Sequence, residues 1–172
     1  VTDLYVTDGT TVGTKLLKSN GPGVDYAFNP HFFARIGNTV VFGANDASTA
    51  ANTELWKTDG TSAGTLSVRE IAPGIGNGGF VGNRVIAVGN TAYFSGDDGK
   101  GVELWKTDGT ADGTSMVIDL APSSGVGAAG SGATALAALG NNLVFAASSE
   151  TSVEIFKTDG PSGGSSVLAS SL

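Results

Sequence analysis

One seven-residue stretch recurs four times in this chain at nearly constant spacing. It reads Leu-Trp-Lys-Thr-Asp-Gly-Thr in its two central copies, which begin at Leu55 and Leu104. A related copy begins at Leu4 and a more divergent one at Ile155, so the intervals are 51, 49 and 51 residues. A period of this length indicates a repeat array in which each repeat is one supersecondary unit.

The sequence of each repeat predicts that it contains four short strands. In the third repeat we expect them at residues 84–88, 91–95, 102–107 and 115–120. Gly89-Asn90 suits a tight hairpin turn, and Asp108-Gly109 turns the third strand into the fourth. Pro122 ends the fourth strand, because proline cannot donate to a ladder. The predicted fold is therefore all-β, with four-stranded antiparallel blades of a β-propeller; a β-solenoid is the rival.

The repeat register divides the chain into a partial blade and three full blades. The partial blade covers residues 1–22, and the full blades cover 23–73, 74–122 and 123–172. Propellers typically close with about four to eight blades. We therefore expect about three and a half blades to be completed by more of the same chain or by homo-oligomer copies, with a self-sufficient three-bladed ring as the alternative. The first strand of each blade is the most apolar, which predicts an innermost strand covered on both faces.

The whole motif carries a resemblance to a known family. Glu-Leu-Trp-x-Thr-Asp-Gly-Thr, complete at residues 54–61 and 103–110, resembles the signature of the bacterial ELWxxDGT repeat family, also described as hyalin-like repeats. The strand order also resembles TolB-type propellers. The resemblance implies a propeller in a large secreted or surface protein of bacteria, and it brings no established activity.

Charge and composition restrict the partners. The net charge is −7 with nine lysines and arginines, which argues against nucleic acid, since that binding depends on cationic contacts to phosphate. It argues equally against anionic membrane surfaces, and the sequence contains no membrane-inserting segment. There are no cysteines, so no disulfide framework is expected. This composition is compatible with an extracellular or cell-surface location.

The recurring tryptophans and aspartates are interpreted as structural. Trp56 and Trp105 hold equivalent positions, so we expect them to pack one blade on its neighbour. An aspartate before glycine commonly accepts a hydrogen bond from the backbone amide two residues on. That role is predicted for Asp8, Asp59, Asp108 and Asp159.

Loop residues outside the repeat consensus are the candidates for ligand binding. These are Asn45, Asp46, Asn52, Asp97, Asp98 and Lys100. Asp97, Asp98 and Glu103 superficially resemble a calcium loop, but their spacing does not fit an EF-hand and Lys100 intrudes. No cofactor is therefore predicted, with calcium as the alternative.

Catalysis has little support in the sequence. His31 is the single histidine, and no Ser/His/Asp set can be assembled around it. We therefore expect a non-enzymatic extracellular binding or adhesion module, with polysaccharide as its expected partner. The alternatives are a structural surface or matrix scaffold and, third, a propeller enzyme that uses paired carboxylates.

Overall fold

The chain forms strands throughout the part that the computed structural model describes. Those residues are 2–21, 27–45, 53–72, 79–120, 130–148, 152–158 and 165–170. They contain fourteen strands and no helix, so the all-β prediction is confirmed. The strands are β1 (Leu4–Val6), β2 (Lys15–Lys18), β3 (His31–Ile36), β4 (Thr39–Asn45), β5 (Thr53–Thr58), β6 (Leu66–Arg69), β7 (Gly79–Val88), β8 (Thr91–Asp97), β9 (Val102–Thr107), β10 (Ser115–Ile118), β11 (Thr134–Leu139), β12 (Asn142–Ser148), β13 (Val153–Thr158) and β14 (Ser165–Ser170).

Consecutive strands pair antiparallel in four runs, which we call units 1 to 4. Unit 1 is β1–β2, unit 2 is β3–β6, unit 3 is β7–β10 and unit 4 is β11–β14. One parallel pair, Thr53 with Gly79, joins units 2 and 3 into an eight-stranded sheet. Units 1 and 4 are separate sheets of two and four strands. In the described residues no helix could span a membrane.

Two-residue turns connect the first and second strands of units 2, 3 and 4. In unit 3 the turn is Gly89-Asn90, flanked by the paired residues Val88 and Thr91. Gly89 has φ +59°, and the equivalent Gly37 and Gly140 have +56° and +59°. The asparagine that follows Gly89 does not share this conformation. The hairpins predicted from these dipeptides are confirmed, and glycine alone supplies the positive φ that each turn requires.

The third strand of unit 3 has the predicted bounds. The prediction that the first strands are covered on both faces was wrong. The first strands are not covered on both faces, because Phe33 in β3 is 50% exposed and Leu139 in β11 is 59% exposed. The most buried strand is β8, whose residues Thr91 to Gly96 are all buried. The reason lies in what packs on each face of the strand. β8 contributes Ala92 and Phe94 to one apolar cluster and Tyr93 to another, so both of its faces are packed, whereas Phe33 and Leu139 belong to none of the three clusters. The predicted strand-ending Pro122 lies outside the described residues.

Three apolar clusters hold neighbouring units together. The cluster between units 1 and 2 contains Leu4, Leu17, Phe28, Phe42, Ala44 and Trp56. The cluster between units 2 and 3 contains Val41 and Leu55 from one side and Phe94 and Trp105 from the other. Between units 3 and 4, Leu104 meets Phe156. Successive side chains on a strand point to opposite faces, so each inner unit contributes its two faces to two different clusters.

Candidate recognition site

The Asp-Gly turn of the third repeat is closed by its own side chains. Asp108 Oδ1 accepts a hydrogen bond from the Thr110 backbone N–H at 2.8 Å and a second from the Thr110 hydroxyl at 2.6 Å. This arrangement is the local side-chain-to-backbone bonding that aspartate favours in turns. The aspartate therefore serves its own loop, as its position before glycine predicts.

A second layer of bonds ties this turn to the strands on either side. The Thr110 hydroxyl accepts from the Gly113 N–H at 3.0 Å, and the Thr114 hydroxyl donates to the Thr110 carbonyl at 2.6 Å. The hydroxyls of Thr107 and Thr114 are 2.7 Å apart, and Thr107 Oγ1 also accepts from the Gly109 N–H at 2.9 Å. Because Thr107 ends β9 and Thr114 precedes β10, the network fixes the connection between two paired strands.

The same network recurs around Asp8 and Asp59. Asp59 Oδ1 accepts from Thr61 N–H at 2.9 Å and from the Thr61 hydroxyl at 2.7 Å. Asp8 makes the equivalent bonds to Thr10 at 2.9 and 2.7 Å. The pKa of each of the three carboxyl groups is lowered from 3.8, and the hydroxyl hydrogen bond is the largest cause in each turn. Three turns thus repeat one hydrogen-bond pattern.

This network also explains the second recurring glycine of the first three motif copies. A Cβ atom on Gly113 would lie 2.1 Å from Asp108 Oδ1, and one on Gly64 would lie 2.1 Å from Asp59 Oδ1. Neither glycine has a positive φ. The glycine is therefore required by the volume of the aspartate side chain rather than by its own backbone conformation.

The fourth motif copy departs from this pattern. Asp159 and Pro161 lie outside the described residues. Proline has neither a backbone N–H nor a hydroxyl, so the two donors that threonine supplies in the other copies are missing from the sequence. Within the described part, the Thr158 hydroxyl accepts from the Leu143 N–H at 3.0 Å.

Both motif tryptophans are buried. Trp56 is 7% exposed and Trp105 is 5% exposed. The ring of Phe28 meets the ring of Trp56 edge-on with centroids 4.9 Å apart, a favourable geometry for aromatic pairs. Neither indole N–H has a hydrogen-bond partner in the described structure. The rings thus act as apolar contacts between units.

The acidic side chains of the calcium-like loop bond to the protein itself. Asp97 Oδ1 accepts from the N–H groups of Gly99 and Gly101 at 2.8 and 3.1 Å. Asp98 Oδ1 accepts from the Lys100 N–H at 3.2 Å. Over the described residues, no group of three or more His, Asp or Glu side chains is placed to hold a metal. The loop is therefore organised by its own hydrogen bonds.

The Glu103 side chain is buried and forms hydrogen bonds with Ser131, in the segment that precedes unit 4. It is 3% exposed, and its carboxylate accepts from the Ser131 N–H at 2.7 Å and from the Ser131 hydroxyl. Burial raises the pKa of Glu103 above 4.5, while the bonds from Ser131 and the Leu120 backbone oppose that rise. In unit 2, the equivalent Glu54 accepts from the Ile71 N–H at 2.8 Å. The motif glutamate therefore accepts hydrogen bonds from the backbone of the segment that follows its own unit.

Asn45 and Asp97 lie on one edge of the eight-stranded sheet. Asn45 pairs with Thr53, Thr53 with Gly79, and Gly79 with Asp97, which places the two candidates three strand spacings apart. The Asn45 amide donates to the Ala27 carbonyl at 3.1 Å and accepts from the Thr53 hydroxyl at 2.9 Å. Asp46 and Asn52 lie outside the described residues. The structure thus brings Asn45 and Asp97 to a common edge, with both side chains engaged.

A polar cleft that the sequence did not predict lies beside the third Asp-Gly turn. It encloses about 300 Å³ and is lined by Thr91, Lys106, Asp108, Asp112, Gly113 and Ser115. Lys106 and Ser115 are cross-strand partners in β9 and β10. Ligand sites of small size begin at about this volume. The cleft offers a cation, two carboxylates and two hydroxyls around one space.

Two lining residues of this cleft are departures from the repeat pattern. Asp112 occupies the position of Ala63 in the second repeat, and Ser115 that of Leu66. The first repeat likewise has Val12 at the position of Asp112. The exposed Asp112 therefore adds a carboxylate that the turn itself does not require, because the other turns form the same network without it.

A second cleft of about 300 Å³ lies between units 1 and 2 and is mainly apolar. Tyr5, Val6, Phe33 and Val40 contribute to its wall, and Asn38 and Asp59 lie at it. It adjoins the cluster that contains Leu4 and Leu17. Its apolar lining offers few groups that could orient a polar ligand.

His31 contacts a backbone carbonyl and two aromatic rings. Its Nδ1 donates to the Asn29 carbonyl at 2.7 Å, and its ring meets the Phe32 ring edge-on with centroids 4.6 Å apart. The His31 ring also meets the Phe80 ring of unit 3 edge-on, with centroids 6.1 Å apart.

Comparison with known proteins shows a likeness in fold alone. The structure is similar to TolB from Acinetobacter baumannii, with a TM-score of 0.51 and 14% sequence identity over 98% of this chain and 38% of that chain. A puromycin hydrolase variant complexed with PGG gives a TM-score of 0.42 and 12% identity, over 94% of this chain and 31% of that one. No protein-family model and no curated protein sequence matches the chain. The chain is thus all-β and similar in structure to β-propeller-containing proteins, and it spans 38% of the length of TolB.

Proposed function

We propose that units 2, 3 and 4 are blades of a β-propeller and that unit 1 is the outer half of another blade. Each of these three units is a run of four antiparallel strands, and consecutive units pack face to face through an apolar cluster. The likeness to TolB supports the same architecture. The proposal retains the boundaries 1–22, 23–73, 74–122 and 123–172.

We propose further that the protein is a non-enzymatic recognition or adhesion module that acts outside the cell. The observation that carries this proposal is the polar cleft beside the third Asp-Gly turn. The turn network holds two of its lining residues, Asp108 and Gly113, in place. Recognition groups on a rigid scaffold are a common arrangement in binding proteins.

The chemistry of the cleft favours a neutral, hydroxyl-rich polymer such as a polysaccharide. Lys106 can donate hydrogen bonds, Asp112 can accept them, and the hydroxyls of Thr91 and Ser115 can do both. A chain with net charge −7 repels polyanions over its surface. A single small polar cleft is expected to bind weakly, with Kd on the order of 1 mM, and several sites together would raise the avidity.

The test is a glycan array followed by titration calorimetry on the strongest glycan. Asp112→Ala should weaken binding about tenfold or more, which corresponds to a loss of about 1.4 kcal/mol. Glu70→Ala is the matched control, because it removes the same charge from an exposed side chain that does not line the cleft. Equal loss in both variants, or no glycan bound at all, would contradict the proposal.

The loop residues on the sheet edge form a second contact surface to test with the same glycan. Lys100 is exposed, and Asp98 is half-buried beside it. Lys100→Ala and Asp98→Ala should leave binding unchanged if the cleft is the site. A loss confined to these two variants would move recognition to the loop.

A structural scaffold is the second candidate function, and a specific observation favours it. Large apolar side chains are exposed on the first and last units, including Tyr5, Leu139 and Ile155. Exposed large apolar side chains can take part in protein contacts. Ordered self-assembly without glycan binding would support this alternative over recognition.

A further inference from the structure

The third motif turn contains a second aspartate-glycine pair, which the first two turns lack. Asp112 precedes Gly113 on the turn between β9 and β10. The position of Asp112 is held by Val12 in the first repeat and by Ala63 in the second. Glycine has no side chain to shield its backbone nitrogen, so in an Asp-Gly pair that nitrogen can attack the carboxyl carbon of the aspartate. Each such pair is therefore a possible site of backbone rearrangement.

The rearrangement needs a free carboxyl group and a free glycine N–H. The glycine nitrogen bonds to the aspartate Cγ, and its proton leaves with the carboxyl hydroxyl as water, which gives a cyclic succinimide. Water then opens the ring. When it breaks the bond from the nitrogen to the original backbone carbonyl, the chain continues through Cγ as isoaspartate and the old α-carboxylate becomes the side chain. Hydrogen bonds that hold either group slow the first step.

In the three described motif turns both groups are held. The Gly60 N–H donates to the Thr58 hydroxyl at 3.1 Å, and the glycines of the other two turns donate in the same way at 3.0 and 2.9 Å. The Asp59 carboxylate accepts two bonds from Thr61. The bond from the Thr61 hydroxyl also lowers the pKa of Asp59, so a smaller fraction of this carboxyl group carries the hydroxyl that must leave.

The Asp98-Gly99 pair in the loop between β8 and β9 is held as well. Asp98 Oδ1 accepts from the Lys100 N–H at 3.2 Å, and the Gly99 N–H donates to Asp97 Oδ1 at 2.8 Å. The acceptor for this glycine is a carboxylate, which forms a stronger bond than a hydroxyl does. The Asp-Gly pair of the fourth motif copy lies outside the described residues.

The Asp112-Gly113 pair has only half of this protection. The Gly113 N–H donates to the Thr110 hydroxyl at 3.0 Å. The Asp112 side chain is exposed and makes no hydrogen bond or ion pair with the described residues. Its carboxyl group can therefore turn towards the Gly113 nitrogen. One hydrogen bond has to break before the reaction starts here, whereas the pair at Asp59 must give up three.

We propose that Asp112-Gly113 is a site of spontaneous isomerisation in the folded protein, and that the other described Asp-Gly pairs are protected by their hydrogen bonds. Isoaspartate at this position adds one carbon atom to the backbone and moves the carboxylate. Because Asp112 lines the polar cleft, the modification alters the cleft. The modification itself does not depend on glycan recognition, whereas its effect on affinity rests on that proposed function.

The experiment ages the folded chain in neutral buffer and measures isoaspartate at every Asp-Gly pair by peptide mapping with electron-transfer fragmentation. Isoaspartate should appear first at Asp112, at a rate about tenfold or more above the rate at Asp59, because each further hydrogen bond that must break lowers the rate. The same chain aged in urea is the comparison. Its pairs have lost their hydrogen bonds, so their rates should become similar.

Two variants test whether the free carboxyl group sets the rate. Ala63→Asp creates an Asp-Gly pair at the equivalent, exposed position of the second turn, and this pair should isomerise about as fast as the one at Asp112. Asp112→Glu keeps the charge, but the larger ring that glutamate would form closes far more slowly. This variant should therefore stay unmodified at that position.

Titration with the glycan selected on the array gives a second readout. The aged wild type should lose affinity in step with isoaspartate at Asp112, whereas aged Asp112→Glu should keep the affinity that it had when fresh. If the fresh wild type binds no glycan, the proposed recognition function fails, and the peptide map alone decides whether the modification occurs.

Two results would overturn the proposal. The first is an equal amount of isoaspartate at Asp59 and Asp112 in the folded protein. The second is a folded chain that stays unmodified at Asp112 while the chain in urea converts, because the bond from the Gly113 N–H would then be sufficient protection. Unchanged glycan affinity in fully modified protein would overturn the effect on the cleft.

Discussion

At the scale of single residues, the side chains of the repeat motif hydrogen-bond to one another and pack against one another. Asp59 accepts two bonds from Thr61, and Gly64 leaves the space that the Asp59 side chain fills. The sequence shows that these residues recur together, and turn chemistry predicts the first of these bonds. The need for Gly64 could not be predicted, because it depends on a contact between residues five apart that exists only once the turn has closed.

The contact between Gly64 and Asp59 leads to a prediction about coupling. Gly64→Ala should lower the free energy of unfolding by about 1–3 kcal/mol, the usual cost of overpacking. In an Asp59→Ala background the added methyl group no longer meets a carboxylate, so the same change should cost much less. Denaturant unfolding of the four proteins measures the difference. An equal cost in both backgrounds would show that the glycine serves another purpose.

The pH dependence of stability in acid should show the contribution of the Asp59 carboxylate. The folded-state pKa of Asp59 is lowered from its ordinary value of 3.8 by the Thr61 hydroxyl, so below pH 3.8 the unfolded chain binds more protons than the folded one. The contribution of Asp59 is therefore present above that pH and is lost as pH falls through the lowered pKa. Thermal melts between pH 2 and 6 should show a shallower acid decline for Asp59→Asn than for the wild type. Identical slopes would contradict this assignment.

At the scale of strands and units, the sequence predicts order better than burial. The bounds of β9 and the three Gly-Asn turns are local features and were predicted correctly. The first strands were expected to be covered on both faces because they are apolar, yet Phe33 in β3 and Leu139 in β11 are 50% and 59% exposed. Burial depends on which strands and units are neighbours, and a strand's own composition does not contain that information.

Trp105 and Tyr5 occupy the same motif position in two units and can be compared by substitution. Trp105→Ala removes a ring that is 5% exposed and should cost about 3–5 kcal/mol. Tyr5→Ala removes the equivalent ring of unit 1, which is 57% exposed, and should cost far less in the monomer. Thermal unfolding at low protein concentration makes the comparison. Similar losses in the two variants would mean that the faces of units 1 and 3 are equally covered.

At the scale of the whole molecule, two kinds of residue have separate tasks. Residues at the positions of the repeat motif build turns and unit contacts, as Asp59, Trp56 and Glu103 do. Residues that break the pattern, such as Asp112, contribute groups that the fold does not use. The candidate cleft could not be predicted from sequence, because it combines the start of β8 with side chains from β9, β10 and the turn between them.

This division of tasks is tested most directly by comparing Asp59→Ala with Asp112→Ala, each measured for thermal stability and for binding to the glycan selected on the array. Asp59→Ala should lower the midpoint of thermal unfolding, because the turn loses the hydrogen bonds from Thr61, and should leave the dissociation constant unchanged at temperatures where the protein is folded. Asp112→Ala should leave stability unchanged and weaken binding about tenfold. The opposite result would be that Asp112→Ala destabilises the protein as much as Asp59→Ala does while glycan affinity is the same in both variants, and it would contradict this division of tasks.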